Sequence, residues 1–153
     1  MLKMELENKV KIEEIKVEEL SDDYPDLSYL EDEWDEEDQK IISSCQFNDE
    51  TIKEYGWNKV LEWMQENKER LNNYGRTWSC IGIKAIAKIN VSMNKNTSIL
   101  QEIESGGLWG IENDSGEEYI EGIKKGQLEE LKTILENMGI DTKEFEERII
   151  KDE

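Results

Sequence analysis

Carboxylates carry nearly all the reactive chemistry in this sequence. Between Glu18 and Asp38 there are twelve of them and no lysine or arginine. The centre of the run, DDYPDLSYLEDEWDEEDQ at 22–39, also holds Tyr24, Leu27, Tyr29, Leu30 and Trp34. Paired carboxylates are what glycoside hydrolysis or a divalent cation would require. With 38 acids in 153 residues, however, such pairs arise by chance. The chain has no histidine, which removes Ser–His and Cys–His nucleophiles, the usual neutral-pH acid/base and most zinc sites. It also lacks a Walker A loop and a dinucleotide fingerprint. An EF-hand needs glycine at the sixth loop position and glutamate at the twelfth, and neither the 22–38 run nor Asn113-Asp114-Ser115-Gly116 supplies that pattern. The reading is therefore a non-enzyme, with no catalytic residues, metal or cofactor.

What twelve like charges can do is imitate a polyanion. Duplex DNA shows about one charge per 1.7 Å of axis. The run would show about one per 2.6 Å if helical and about one per 5.8 Å if extended. Glu31, Glu33, Asp35 and Glu37 alternate, so an extended segment would set four carboxylates along one face at about 6.6 Å intervals. Tyr24, Tyr29, Leu30 and Trp34 could anchor the charges to a core or a partner instead of leaving them in a solvated tail. The candidate partner-binding residues are Asp22, Asp23, Asp26, Tyr29, Glu31, Asp32, Glu33, Trp34, Asp35, Glu36, Glu37 and Asp38. Their expected partner is a basic nucleic-acid-binding protein whose arginines and lysines normally hold phosphate.

The charge is uneven along the chain. Net charge is -19 overall. Residues 1–50 hold 18 acids against 5 bases, 51–100 hold 4 against 8, and 101–153 hold 16 against 6. A field of that sign repels nucleic acid and anionic lipid, so direct binding to either is not expected. Cys45 and Cys80 form neither a disulfide framework nor a zinc spacing. No signal-peptide pattern and no apolar run near 18 residues is present, which points to the cytoplasm of a bacterial host and not to a membrane.

The elements that must position these residues read as α+β in a single domain over 1–153. The acidic segment at 18–38 would be a loop or helix insertion. In KVKIEEIKVEEL, Val10 and Ile12, then Ile15 and Val17, keep a period of two across a one-residue slip, as a bulged strand would; an amphipathic helix competes. Pro25 marks a turn. Residues 48–73 carry a helical stripe of Trp57, Val60, Leu61, Met64 and Leu71, stopped by Asn72, Asn73 and Gly75.

The strongest strand lies at 80–93, where Ile81, Ile83, Ala85, Ala87, Ile89, Val91 and Met93 alternate against a half-wet face of Cys80, Gly82, Lys84, Ile86, Lys88, Asn90 and Ser92. Asn94-Lys95-Asn96 predicts a hairpin turn into a second strand over 99–103, giving a hairpin near 79–103. SGGLWG then reads as a strand end and a tight crossing around Trp109. Ser115 and Glu118 predict a capping box for a helix carrying Tyr119, Ile120, Ile123, Leu128, Leu131, Ile134, Leu135 and Met138, broken near Gly126 and stopped by Gly139. Asp141 and Glu144 predict a last short helix burying Phe145 and Ile149. The sum is a small antiparallel sheet packed with two or three helices.

SGGLWGIENDSGEEYIEGI, followed by QLEELKTILENMGI, resembles a segment of small uncharacterised proteins from phages and other mobile elements; DLSYL at 26–30 resembles a second motif of theirs. Asn113 departs from the serine more usual there. The resemblance implies a mobile-element setting, in which compact acidic proteins inhibit host defence as anti-CRISPR proteins and other DNA mimics. On that expectation the target is a Cas effector, whose protospacer-adjacent-motif arginines the carboxylates would occupy. The alternative is a phage adaptor or assembly factor that binds protein through apolar surface around Trp109 or the 57–71 helix. The oligomeric state is left open.

Overall fold

Seven alternating apolar residues dictate the central strand. In a computed structural model of the chain, which describes residues 9–37, 40–42 and 47–151, with backbone alone at 33, 34 and 40–42, β4 runs Cys80–Asn94. The other strands are β1 (Val10–Ser21), β2 (Glu33–Asp35), β3 (Lys40–Ile42), β5 (Thr97–Glu104) and β6 (Leu108–Glu112). The helices among the described residues are α1 (Asp49–Tyr55), α2 (Trp57–Asn72) and α3 (Glu117–Asn137). The fold is α+β, as the sequence predicts. The chain forms two compact units, one combining residues up to Asp22 with those from Cys80 onward, the other Asp23–Ser79.

In the first unit β4 is the middle of an antiparallel sheet, with β1 along one side and β5 followed by β6 along the other. The slip between Ile12 and Ile15 is a β-bulge: Ile12 pairs with Ile89 and Glu14 with Lys88, leaving Glu13 over. That single extra residue keeps both Ile12 and Ile15 on the buried face. The β4–β5 hairpin closes with Asn94 opposite Thr97. β6, not foreseen as a separate strand, continues β5 along the same edge of β4. From Ile83 to Ile86 the central strand advances three residues while its neighbour advances four, from Glu104 to Leu108. Gly107, at φ 80°, sits in that insertion, and Gly110, at φ 72°, sits in a second one between Leu108 and Ile111. Both conformations are left-handed and favour glycine, which is why the apolar alternation of this stretch is broken.

α3 covers one sheet face. Leu131 and Leu135 are fully buried against Ile12, Ile15, Ala85, Ala87, Ile89, Ile140 and Phe145. The alanines of β4 let the helix approach, and burying each leucine contributes roughly 1.5–3 kcal/mol. Gln127 fixes its register. Its Oε1 accepts from Ser105 Oγ at 2.7 Å and from Gly107 N–H at 3.0 Å. Ser105 Oγ in turn accepts from the Ala85 amide at 2.8 Å.

Several expectations need correction. α3 runs unbroken past Gly126, which is exposed; Leu128, Leu131 and Leu135, which follow it, hold the helix to the sheet. Ser115 is not its cap. Its hydroxyl donates to Glu112 O at 2.6 Å and closes the turn after β6, while Gly116 takes the N-cap position without a side-chain bond. Gly139 does end the helix, at φ 81°, with Ile140 N–H donating to Leu135 O and Gly139 N–H to Glu136 O. Phe145 is buried and Ile149 packs on the core, but the last helix is only a 3-10 turn at Glu146–Arg148. The half-wet face of β4 is drier than expected at one end, with Cys80 and Ile86 buried, and Met93 is exposed.

In the second unit the helical stretch is two helices. Asn48 caps α1 by accepting from Thr51 N–H at 3.0 Å, and Gly56, at φ 81°, separates α1 from α2. This break turns Trp57 out of the expected stripe, leaving it 42% exposed, while Val60 and Met64 pack on Phe47. Trp63 stacks on Phe47 at 6.2 Å between centroids and meets Tyr55 edge-on at 5.0 Å. Trp78 is buried, donates to Arg70 O at 2.8 Å and lies 3.9 Å beneath the Arg70 guanidinium. β2 and β3 form a separate two-stranded ribbon. No helix among the described residues is long and apolar enough to cross a membrane.

Candidate acidic interaction surface

The run from Glu18 onward is not one element. It comprises the end of β1, a loop, a 3-10 turn at Ser28–Leu30, and β2. Its first two carboxylates are paired with lysines outside the run. Glu18 Oε1 lies 2.8 Å from Lys16 Nζ, and Glu19 Oε1 lies 3.0 Å from Lys124 Nζ. Both lysines are held above their ordinary pKa, chiefly by those hydrogen bonds.

Asp22 closes the first unit. Its backbone N–H donates to Cys80 O at 3.1 Å, and its Oδ2 accepts from Gly110 N–H at 3.0 Å. That second bond satisfies the amide at the bulge beside Trp109. Asp22 is therefore half-buried and structural in position, whereas Asp23, next in sequence, is exposed and belongs to the second unit.

Within the second unit, Asp26 builds the turn. Its Oδ1 accepts from Ser28 N–H at 3.0 Å, and the Ser28 hydroxyl and amide together hold its carboxyl below the usual range. An aspartate two residues before the amide it accepts from is an Asx turn, written into the sequence as Asp26-Leu27-Ser28. The turn drives Leu30 inward, 4% exposed, and the 3-10 segment packs on α2. Tyr29 is half-buried and Tyr24 is 95% exposed. Glu31 faces solvent, but Asp32 is 8% exposed and does not join a surface array.

Glu33, Trp34 and Asp35 pair with Ile42, Ile41 and Lys40 as β2 and β3. Asp35 Oδ1 then accepts from Glu37 N–H at 3.0 Å, turning the chain at Glu36 and Glu37. The extended backbone ends there, so the proposed row from Glu31 through Glu37 is interrupted at its last member. Asp38 and Cys45 lie outside the described residues. Among its described side chains the run thus divides into carboxylates paired with lysine (Glu18, Glu19), those that accept from backbone amides (Asp22, Asp26, Asp35), one that is buried (Asp32), and an exposed set of Asp23, Glu31, Glu36 and Glu37, with Asp26 also exposed while it holds its turn.

A contrasting arrangement covers the sheet face opposite α3. There Glu14, Glu18 and Glu104 bond Lys88, Lys16 and Lys84 at 3.3, 2.8 and 3.0 Å. Trp109, expected at a tight crossing, packs across the sheet on Gly82. Its ring lies where a Cβ on Gly82 would be, and the residue is still 49% exposed. The signal for this contact was Gly82 itself, the one residue without a side chain in an otherwise regular strand. Among the described residues, no group of three or more cysteine, aspartate or glutamate side chains converges to hold a metal ion. Compared with known proteins, the chain matches no family model, no curated protein and no solved structure.

Proposed function

We propose that this protein inhibits a basic nucleic-acid-binding component of a host defence complex, in the manner of an anti-CRISPR protein, by presenting carboxylates to the cations that normally hold phosphate. One observation carries the reading. Asp23, Asp26, Glu31, Glu36 and Glu37 are exposed within a run that has no base between Lys16 and Lys40, and the run is tied down by Leu30 and the Asp26 turn. Concentrated like charge destabilises the free protein, and a cationic partner relieves that cost. No catalysis is required of the inhibitor. The mobile-element resemblance of SGGLWGIENDSGEEYI and DLSYL supplies the setting, a phage protein acting in the bacterial cytoplasm on a guide-loaded Cas effector.

The test is competition. Purified protein should displace target DNA from a guide-loaded effector, with affinity that falls as salt rises. Failure to displace DNA, or binding indifferent to salt, rejects mimicry. A second reading, a phage adaptor, draws on Leu108 and Trp109, which are 45% and 49% exposed on β6. It predicts salt-tolerant binding to a protein partner that Trp109→Ala abolishes.

A further inference from the structure

The two edges of the sheet are finished differently. On the β1 side the C-terminal segment comes back to the strand: Ile149 bridges Ile15, and Ile150 N–H donates to Ile15 O at 2.8 Å. On the β5 side, no described strand pairs beyond β5. Ser105 N–H donates to Ala85 O, which sets the alternation of the ladder. Residues 99, 101 and 103 turn their backbone groups to β4, and Ser98, Leu100, Glu102 and Glu104 turn theirs outward. β5 has no proline and no lysine between Thr97 and Glu104, and its charged residues, Glu102 and Glu104, lie at its C-terminal end. Every residue of it except Ile103 is exposed, including Ile99 at 41% and Leu100 at 60%.

We infer that this edge pairs antiparallel with the same edge of a second copy, about a twofold axis through Leu100. An isologous contact must be complementary to itself, and β5 meets that condition in this register. Leu100 faces Leu100 of the partner copy, Ser98 faces Glu102 of the partner copy, and Glu104 falls beyond the start of the partner copy's strand at Thr97. No carboxylate opposes a carboxylate. A twofold through Glu102 would set that residue against itself, one through Gln101 would set Leu100 against Glu102, and one through Ile99 would pair only residues 97–101, so charge, apolar matching and paired length together select Leu100. The outward backbone groups at 98, 100 and 102 find partners in the same step. Because each copy carries -19, repulsion opposes pairing and added salt should strengthen it, opposite in sign to the salt response of a charge-mimicking contact.

The inference is independent of the inhibitory reading, and its test needs no target. Molar mass is measured by light scattering over a concentration series at about 0.05 and about 0.5 M salt. It is measured for the intact chain and for Leu100→Lys, with circular dichroism confirming that the variant folds. In a Cys45→Ser background, Leu100→Cys and Ser98→Cys are then exposed to mild oxidant. The twofold puts the two position-100 Cα atoms about 5.5 Å apart, inside the roughly 4.4–6.8 Å that a disulfide spans. It puts the two position-98 Cα atoms about 13 Å or more apart. The expected result is a dimer that salt favours, at least about tenfold weaker with Leu100→Lys, with cross-linking at position 100 and none at 98. A monomer throughout, a dimer unaffected by Leu100→Lys or weakened by salt, or cross-linking at 98 equal to or exceeding that at 100 overturns it.

Discussion

Two regions of this molecule are rich in glutamate and aspartate, and they use the charge in opposite ways. On the open sheet face, Glu14 and Glu104 pair with Lys88 and Lys84 of the neighbouring strand, and Glu18 pairs with Lys16 two residues away on its own strand. Each of these three carboxylates has a cation within 3.3 Å, which weakens its long-range field. In the stretch from Asp22 to Glu37 the sequence provides no base at all. Asp22, Asp26 and Asp35 accept from backbone amides, Asp32 is buried, and the solvent-facing members add their fields together. Residue type is the same in both regions. What differs is whether a strand neighbour, across the ladder or two residues along, supplies lysine, an arrangement that the paired strands fix and the loop lacks.

The strongest test of this contrast compares charge removal in the two places. Replacing Asp23, Glu31, Glu36 and Glu37 with Asn or Gln should weaken binding to the basic target by about a hundredfold or more, roughly 2.7 kcal/mol, and should flatten the salt dependence measured by titration. Glu14→Gln with Glu104→Gln removes charge from the lattice and should change binding less than about threefold. Equal losses from both sets would mean that total charge, not the exposed run, drives association.

A second test lies where the lattice gives way to apolar packing. Glu18 pairs with Lys84 across the strands, and two residues on, Leu20 pairs with Gly82, over which Trp109 lies. In Gly82→Ala the new methyl would meet the indole ring, forcing it outward at a cost of roughly 1–3 kcal/mol. A lower urea midpoint with a red-shifted tryptophan emission is the expected readout. An unchanged midpoint would mean the ring swings away freely and contributes nothing to that edge.

Adjacent residues provide a finer comparison. Asp22 accepts from the Gly110 amide, and Asp23 faces solvent. Asp22→Ala should cost about 1 kcal/mol of stability through the lost bond, while Asp23→Asn should leave the denaturation midpoint within about 0.5 kcal/mol. A reversed ranking would place the structural carboxylate one residue later than the geometry does.

Such distinctions explain which parts of the molecule the sequence discloses. β4 was legible because Ile83, Ala85, Ala87 and Ile89 repeat at period two, and the β1 bulge was legible because Ile12 and Ile15 break that period once. β6 was obscured because Gly107 and Gly110 each insert a residue, so Leu108, Trp109 and Ile111 follow no single period. Gly56 and Gly126 look alike in sequence, yet the first breaks a helix and the second does not. Only tertiary packing, here Leu128 and Leu131 on the sheet, separates them. In the acidic run, composition reveals total charge but not which oxygens the local amides claim. The Asp26-x-Ser28 turn could have been read from the sequence; burial of Asp32 depends on how Leu30 enters the core and could not.

The smallest effects are in pH dependence, where the Asp26 turn and the Lys124–Glu19 pair between α3 and β1 differ in sign. Asp26 has a folded pKa below its unfolded value because the Ser28 hydroxyl and amide stabilise the carboxylate. The folded state therefore binds its proton less readily. Its contribution is fully present above the unfolded pKa of about 3.9 and is lost as pH falls through the folded value. Lys124 is the converse case. Glu19 raises its pKa, so its contribution is complete below the unfolded value of about 10.4 and disappears as pH rises through the folded one. Thermal midpoints measured against pH should show Asp26→Asn flattening only the acid limb and Lys124→Met flattening only the alkaline limb. If Asp26→Asn left the acid limb unchanged, the turn that fixes the exposed carboxylates would not be held by that side chain, and the ordered array on which mimicry depends would lose its anchor.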